Sequence, residues 1–147
     1  MPGATERPAK RGTPPAGMPS EFSPGVFLGG RNDALQFEGA RFCVLDEAPD
    51  DMPDAMHFQI YDESADRAIT GNLDRLARAM SKERASGKPV LVFCGHGVRR
   101  SPLAAAWYLR QTEGLSLDEA YRRIRSVRPK IEEAKEWIGD LANLGGR

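Results

Sequence analysis

Cys94 stands between an apolar run and a glycine-bearing loop, in the stretch PVLVFCGHGVRRSP from Pro89 to Pro102. An ordinary thiol has a pKa of about 8.5 and is only slightly ionised at neutral pH, so a nucleophilic cysteine needs positive potential around it. The residues that follow offer it. Gly95 and Gly97 let the backbone curl, Arg99 and Arg100 close the loop, and Ser101-Pro102 marks a helix start, where anions are favoured. The same features suit a tetrahedral phosphate dianion, because curled backbone turns N–H groups inward and an arginine fork grips two oxygens together. One loop would then hold both the nucleophile and the group it attacks. The competing reading is a buried cysteine ending a strand beside two solvated arginines. It has no need of two glycines, two arginines and a cysteine together.

The elements around this loop must fix it in place. Val90, Leu91, Val92 and Phe93 show no polar alternation, which predicts a strand covered on both faces. Upstream, Gly25 to Gly30 reads as a short strand entering a turn, with Asn32 or Asp33 capping a brief helix through Phe37. Arg41 to Leu45 is the next strand, Ala48 to Ala55 a surface connection, and His57 to Tyr61 a further strand leading to the acidic turn of Asp62, Glu63, Ser64 and Asp66. Ala65 to Ser86 is predicted as a helix with Ile69, Leu73, Leu76, Ala77 and Met80 inward. Ser101 to Thr112 is apolar nearly all round and predicts a buried helix that holds its N-terminus rigidly beneath the loop. Ser116 and Glu119 form a capping box for another, made basic by Arg122, Arg123, Arg125 and Arg128. Ile131 to Leu144 reads as a final amphipathic helix with Ala134, Trp137, Ile138 and Leu141 on one side. Strands alternate with helices, which implies one α/β domain with a central, largely parallel sheet flanked by helices and a ligand site beyond the carboxyl ends of its strands.

Cys94, Gly97, Arg100 and Ser101 resemble the C-x-x-G-x-x-R-[ST] signature of cysteine-based protein tyrosine phosphatases, particularly the compact dual-specificity branch. The stretch F-L-G-G-x-x-D-A from Phe27 to Ala34 resembles that branch's L-Y-L-G-x-x-x-x-A opening, so the resemblance covers approximately Pro24 to Leu144. It implies a phosphatase-like α/β fold and two-step hydrolysis of a phosphate monoester without a metal. Cys94 would be the nucleophile and Arg100 the phosphate-gripping arginine. The N–H groups of the loop, Gly95, His96, Gly97, Val98, Arg99 and Arg100, would hold the equatorial oxygens, and Ser101 would hydrogen-bond the sulfur. The family's general-acid aspartate lies about thirty residues before the cysteine; Asp62 lies 32 before Cys94, with Asp66 as fallback and helix capping as the competing role for either. Arg128 reads by default as a solvated arginine, with substrate contact as the alternative, because the R-S-V-R-P stretch resembles a family segment near the pocket mouth. Cys43 reads as packed within its strand, with a reversible disulfide to Cys94 the family-borne alternative. One departure stands out: the residue before the cysteine, usually histidine, is Phe93, which implies weaker support of the loop and slower turnover.

The 147 residues suit one domain, and the formal net charge of zero argues against a general nucleic-acid binder, so any phosphate affinity is local. Two cysteines are too few for a disulfide scaffold, and His57 and His96 stand alone, which speaks against a metal site or other cofactor. Residues 1–23, punctuated by prolines and glycines, read as a disordered tail without the apolar core of a signal peptide, and residues 24–147 as the catalytic domain. The expectation is a cytoplasmic monomer without a membrane span. Little room remains for insertions that deepen a pocket, so phosphorylated protein substrates bearing phosphotyrosine, phosphoserine or phosphothreonine are expected. The alternatives are a catalytically weak module that binds phosphorylated partners, a phosphatase of phosphoinositides or nucleotides, and a rhodanese-like sulfur carrier, in which Asp62 and the Ser101 hydroxyl lack a role.

Overall fold

Four consecutive apolar residues need apolar cover on both faces of a strand, and Val90–Phe93 finds it at the centre of a five-stranded sheet. The computed structural model describes residues 18–139. In chain order it contains β1 (Ser20–Ser23), β2 (Val26–Gly29), α1 (Arg31–Gln36), β3 (Ala40–Cys43), β4 (Met56–His57), β5 (Tyr61–Asp62), β6 (Arg67–Ala68), α2 (Thr70–Ala85), β7 (Val90–Phe93), α3 (Arg100–Glu113), α4 (Leu117–Val127) and a 3-10 turn over Lys135–Trp137. The main sheet runs β1-β2-β7-β3-β4, with β1 antiparallel to β2 and every other pairing parallel. The architecture is a single α/β domain with a central, mostly parallel sheet flanked by helices.

Side chains alternate across β7. Val90 and Val92 enter the larger core with α2, α3 and α4, while Leu91 and Phe93 pack on the opposite face with Ala34, Cys43 and Met52. That arrangement explains the missing polar alternation, because neither face of the strand meets water. It also anchors the strand's carboxyl end, from which the loop departs. Helix α3 is buried along Ser101–Leu109, and Trp107 donates from Nε1 to Asp74 on α2 at 2.8 Å, so its indole is core. At α4 the capping box forms: Glu119 N–H donates to Ser116 Oγ at 3.1 Å and Ser116 N–H to the Glu119 carboxylate at 2.9 Å.

Several boundaries differ from the sequence reading. Residues 20–23, assigned to the tail, form β1, whose Phe22 is buried edge-on against Tyr108; residues 1–17 lie outside the described residues. The strand expected over residues 57–61 is divided, its first part in the main sheet and its last in a separate β5–β6 hairpin pairing Tyr61 with Ala68 and Asp62 with Arg67. Helix α2 therefore begins at Thr70 rather than at residue 65. Asp66 adopts a left-handed φ of 52°, and the Ile69 N–H donates to Ile60 O at 2.8 Å, so the acidic turn closes a hairpin instead of starting a helix. The expected helix over residues 131–144 is irregular through Ala134. There the N–H groups of Glu132 and Ala134 donate to Val98 O (2.7 Å) and Tyr121 Oη (3.1 Å), acceptors in other elements, rather than to helical carbonyls. Residues 140–144 of that helix, Leu141 among them, lie outside the described residues.

Leu103→Ala, which empties a fully buried position on α3, is expected to cost about 2–5 kcal/mol in urea denaturation. Leu35→Ala, on the half-exposed side of α1, is expected to stay within about 0.5 kcal/mol.

Candidate active site

The loop of residues 94–100 leaves β7 and enters α3, and what surrounds it decides which way its peptides face. Four consecutive carbonyls are held from outside. Gly95 O accepts from the Arg31 N–H at 2.9 Å, and Val98 O from the Glu132 N–H at 2.7 Å. Gly97 O accepts from Arg128 Nε at 2.9 Å and His96 O from Arg128 Nη2 at 3.4 Å. In a planar trans peptide the N–H points opposite to the carbonyl, so the N–H groups of residues 96–99 turn to the loop's other side. No N–H of residues 95–99 has an acceptor among the described residues. Gly97, at φ 71°, makes the tightest part of the curl, and a Cβ there would sit 2.8 Å from the Gly29 carbonyl carbon.

Cys94 lies at the base of this loop and is 5% exposed. Its N–H extends the sheet ladder to Gly29 O at 3.2 Å. Its sulfur meets the first turn of α3: the Ser101 N–H donates to Sγ at 3.4 Å, and Ser101 Oγ lies 3.4 Å away while donating to Gly29 O at 3.1 Å. A sulfur at a helix N-terminus, receiving one of its unpaired N–H groups, is placed where negative charge is favoured. Cys43, by contrast, is fully buried on the sheet face that carries Phe93, and burial pushes its thiol pKa up, which keeps it protonated. Both cysteines are free thiols.

Arg100 and Arg99 diverge. The Arg100 guanidinium donates from Nη2 to Asp46 at 3.4 Å and lies over the Tyr61 ring at 5.3 Å, while its Nε is buried with no acceptor among the described residues. Arg99 pairs with Glu136 and stacks on Trp137 at 4.5 Å, and Trp137 in turn packs on Tyr61 at 4.1 Å. The β5–β6 hairpin thereby stands beside Arg100, with Asp62 next to Tyr61. The Asp62 carboxylate accepts from Ser64 Oγ (2.8 Å), the Ser64 N–H (3.1 Å) and the Ala65 N–H (3.4 Å), so its hydrogen bonds stay within its own turn. These donors, the Ser64 hydroxyl first, hold its pKa below the usual carboxylate value. Asp66 accepts from Tyr61 Oη at 2.6 Å and so orients the ring under Arg100.

The structure thus joins Cys94 to Ser101, arranges Gly95 through Arg99 as one curl, and sends Arg99 to the C-terminal segment. His96 projects to solvent with no side-chain partner among the described residues. Arg128 departs from the solvated reading: its guanidinium is largely buried and donates to the loop carbonyls of Gly97 and His96. Sequence reasoning missed Asp46, which follows β3 by three residues, and Tyr61. The available signal was position alone: Asp46 lies just past the carboxyl end of β3, which pairs with β7, and Tyr61 opens β5 immediately before Asp62. Phe93 is fully buried among Leu91, Ala34, Cys43 and Met52, so its ring packs under α1.

The sequence matches the family model described as the dual specificity phosphatase catalytic domain over residues 44–145. It is 31% identical to human dual specificity protein phosphatase 16 over 134 residues, 84% of this chain and 20% of that protein. It is 28% identical to rat dual specificity protein phosphatase 12 over 136 residues, 83% of this chain and 40% of that protein. Mouse dual specificity phosphatase 28 is 29% identical over 133 residues, 82% of this chain and 81% of that protein. The chain therefore spans less than half the length of the phosphatase 12 and phosphatase 16 relatives. In fold it is similar to the crystal structure of human DUSP28, with a TM-score of 0.73 at 24% identity over 91% of this chain and 95% of that one. A leucine rich repeat and phosphatase domain containing protein from Entamoeba histolytica gives a TM-score of 0.69 at 17% identity, over 84% and 87% of the two chains.

Ser64→Ala removes a hydroxyl that favours ionised Asp62, so the Asp62 pKa is expected to rise and more of it to be protonated at any given pH. Carboxyl-carbon NMR titration measures this directly; a midpoint that stays put or falls would show that other groups set it.

Proposed function

Because the chain belongs to the dual specificity phosphatase family, we propose that it hydrolyses phosphate monoesters on proteins through a cysteinyl-phosphate intermediate. The observation that carries this reading is the loop itself: outward carbonyls, free inward N–H groups and a sulfur at its base on a helix N-terminus. In the first step the Cys94 thiolate forms an S–P bond as the P–O bond to the leaving group breaks. Loop N–H groups and Arg100 bear the charge on the equatorial oxygens, and protonated Asp62 gives its proton to the departing oxygen. In the second, water attacks phosphorus, Asp62 carboxylate takes its proton, and the sulfur leaves. Ser101 Oγ, already 3.4 Å from Sγ, would turn its hydroxyl from Gly29 O to the departing thiolate.

Two motions complete the site. Arg100 exchanges Asp46 for phosphate, using a guanidinium whose buried Nε lacks an acceptor among the described residues. Asp62 releases one Ser64 contact to face the leaving group. For substrate class, the cations around the loop weigh toward a single phosphate. Arg31 pairs with Asp51 at 2.7 Å, Arg99 with Glu136, and Arg128 faces the loop carbonyls. A polyphosphorylated ligand would have to displace these carboxylates, which favours phosphorylated proteins over phosphoinositides.

Assay of p-nitrophenyl phosphate tests the reading. Wild-type protein is expected to turn over and Cys94→Ser to be inactive while still binding tungstate. Binding without turnover in the wild type would instead mark a phosphate-binding module. Arg100→Lys is expected to lose at least about 10²-fold, since a point charge cannot replace a planar fork; near-normal activity would move the phosphate-gripping role to Arg99. Asp62→Asn is expected to lose roughly 10² to 10⁴ with poor leaving groups and much less with good ones. Equal losses with both would remove Asp62 from the acid's role.

A further inference from the structure

Arg128 and Asp33 form a buried polar cluster behind the loop that the chemistry above does not use. The Asp33 side chain is 2% exposed and that of Arg128 16%. An arginine has five N–H donors, and the described residues meet them with four acceptors and a carboxylate. Nε donates to Gly97 O at 2.9 Å, Nη2 to His96 O at 3.4 Å, and Nη1 to Met18 O and Ser20 Oγ, both at 3.0 Å. The Asp33 carboxylate lies 3.9 Å from Nη2. Asp33 itself accepts from the Gly30 N–H at 2.8 Å through Oδ2, while its buried Oδ1 has no hydrogen-bond partner among the described residues. A buried carboxylate with one oxygen unsatisfied is costly unless a cation stands by, and Arg128 is the cation present. Two of the loop's four outward carbonyls therefore depend on one side chain, which the Asp33 charge holds in place. The remaining two are held by main-chain N–H groups.

We propose that Arg128, oriented by Asp33, is a positioning residue that sets the direction of the loop amides and so their affinity for a tetrahedral oxyanion. This rests on the phosphatase reading of the loop. Arg128 grips carbonyls 96 and 97 from behind; by peptide planarity it thereby aims the N–H groups of residues 97 and 98 at the oxyanion. Lysine keeps the charge but lacks the fork that spans two carbonyls. Asn at position 33 keeps the acceptor for the Gly30 N–H and removes the charge that orients Arg128.

The test uses the full chain as wild type, Arg128→Lys, Arg128→Met, Asp33→Asn and the double variant Asp33→Asn/Arg128→Met. Thermal unfolding, turnover of p-nitrophenyl phosphate and inhibition by tungstate are measured for each. Tungstate is a small oxyanion that engages the loop without reaching its rim. Folded Arg128→Lys and Arg128→Met are expected to bind tungstate about 10-fold or more weakly and to lose a similar factor in kcat. Asp33→Asn is expected to lose severalfold, and the double variant no more than Arg128→Met alone, because both residues act through one guanidinium. Tungstate affinity within twofold of wild type in folded Arg128→Lys and Asp33→Asn overturns the proposal, as does a rise in KM alone, which would signal direct substrate contact. If the Arg128 variants do not fold, Asp33→Asn decides by the same criteria. A wild type that neither turns over nor binds tungstate overturns the phosphatase reading and this proposal together. An active wild type with unaltered variants overturns this proposal alone.

Discussion

The outward anchoring of four successive carbonyls, at residues 95 to 98, is the constraint on which the site depends. A loop of this length in water would sample many peptide orientations. Here the four carbonyls are held by donors from three places: the Arg31 N–H of α1, the Arg128 side chain just after α4, which takes two of them, and the Glu132 N–H of the irregular segment beyond it. Because the peptide unit is planar, fixing the oxygens fixes the N–H groups, and the result is a set of preorganised donors instead of donors that must reorganise when charge appears. The ends of the loop are equally constrained. β7 is covered on both faces and α3 is buried from Ser101 to Leu109, so neither can shift without disturbing the core.

The positive potential here comes from geometry rather than from an excess of cations. The chain has no net charge, and several arginines near the loop have acidic partners: Arg31 with Asp51, Arg99 with Glu136 and Arg100 with Asp46. What remains unpaired among the described residues are main-chain N–H groups of the loop and the first turn of α3, whose partial charges cannot be screened away by a mobile side chain. Phe93 fits the same picture. It contributes no hydrogen bond to the loop, and its ring instead locks β7 against Ala34 of α1, the helix whose first N–H holds Gly95 O.

Much of this was legible in the sequence because it follows from local rules. An unbroken apolar run gave the central strand, the Ser116 and Glu119 spacing gave the capping box, and an apolar circumference gave the buried α3. The misread parts are those where a distant acceptor outcompeted a local one. Residues 131–134 have helical spacing, yet Val98 O and Tyr121 Oη take the N–H groups of Glu132 and Ala134. Residues 65–69 look like a first helical turn, yet pairing with residues 60–62 draws them into a hairpin. The same holds for the site: Cys94 and Ser101 meet through the local geometry of a strand, a loop and a helix. The seating of Arg128 behind the loop and of Asp46 beside Arg100 depends on contacts across 31 and 54 residues, which no local pattern encodes.

The most direct test of the account is the chemical identity of the phosphorylated intermediate. Rapid quenching during turnover of an aryl phosphate, followed by mass spectrometry of the digested chain, should find one phosphoryl group on the peptide carrying Cys94, attached through sulfur. A phosphoryl group on an oxygen or nitrogen of any other residue, or steady turnover with none on Cys94 at any quench time, would contradict it.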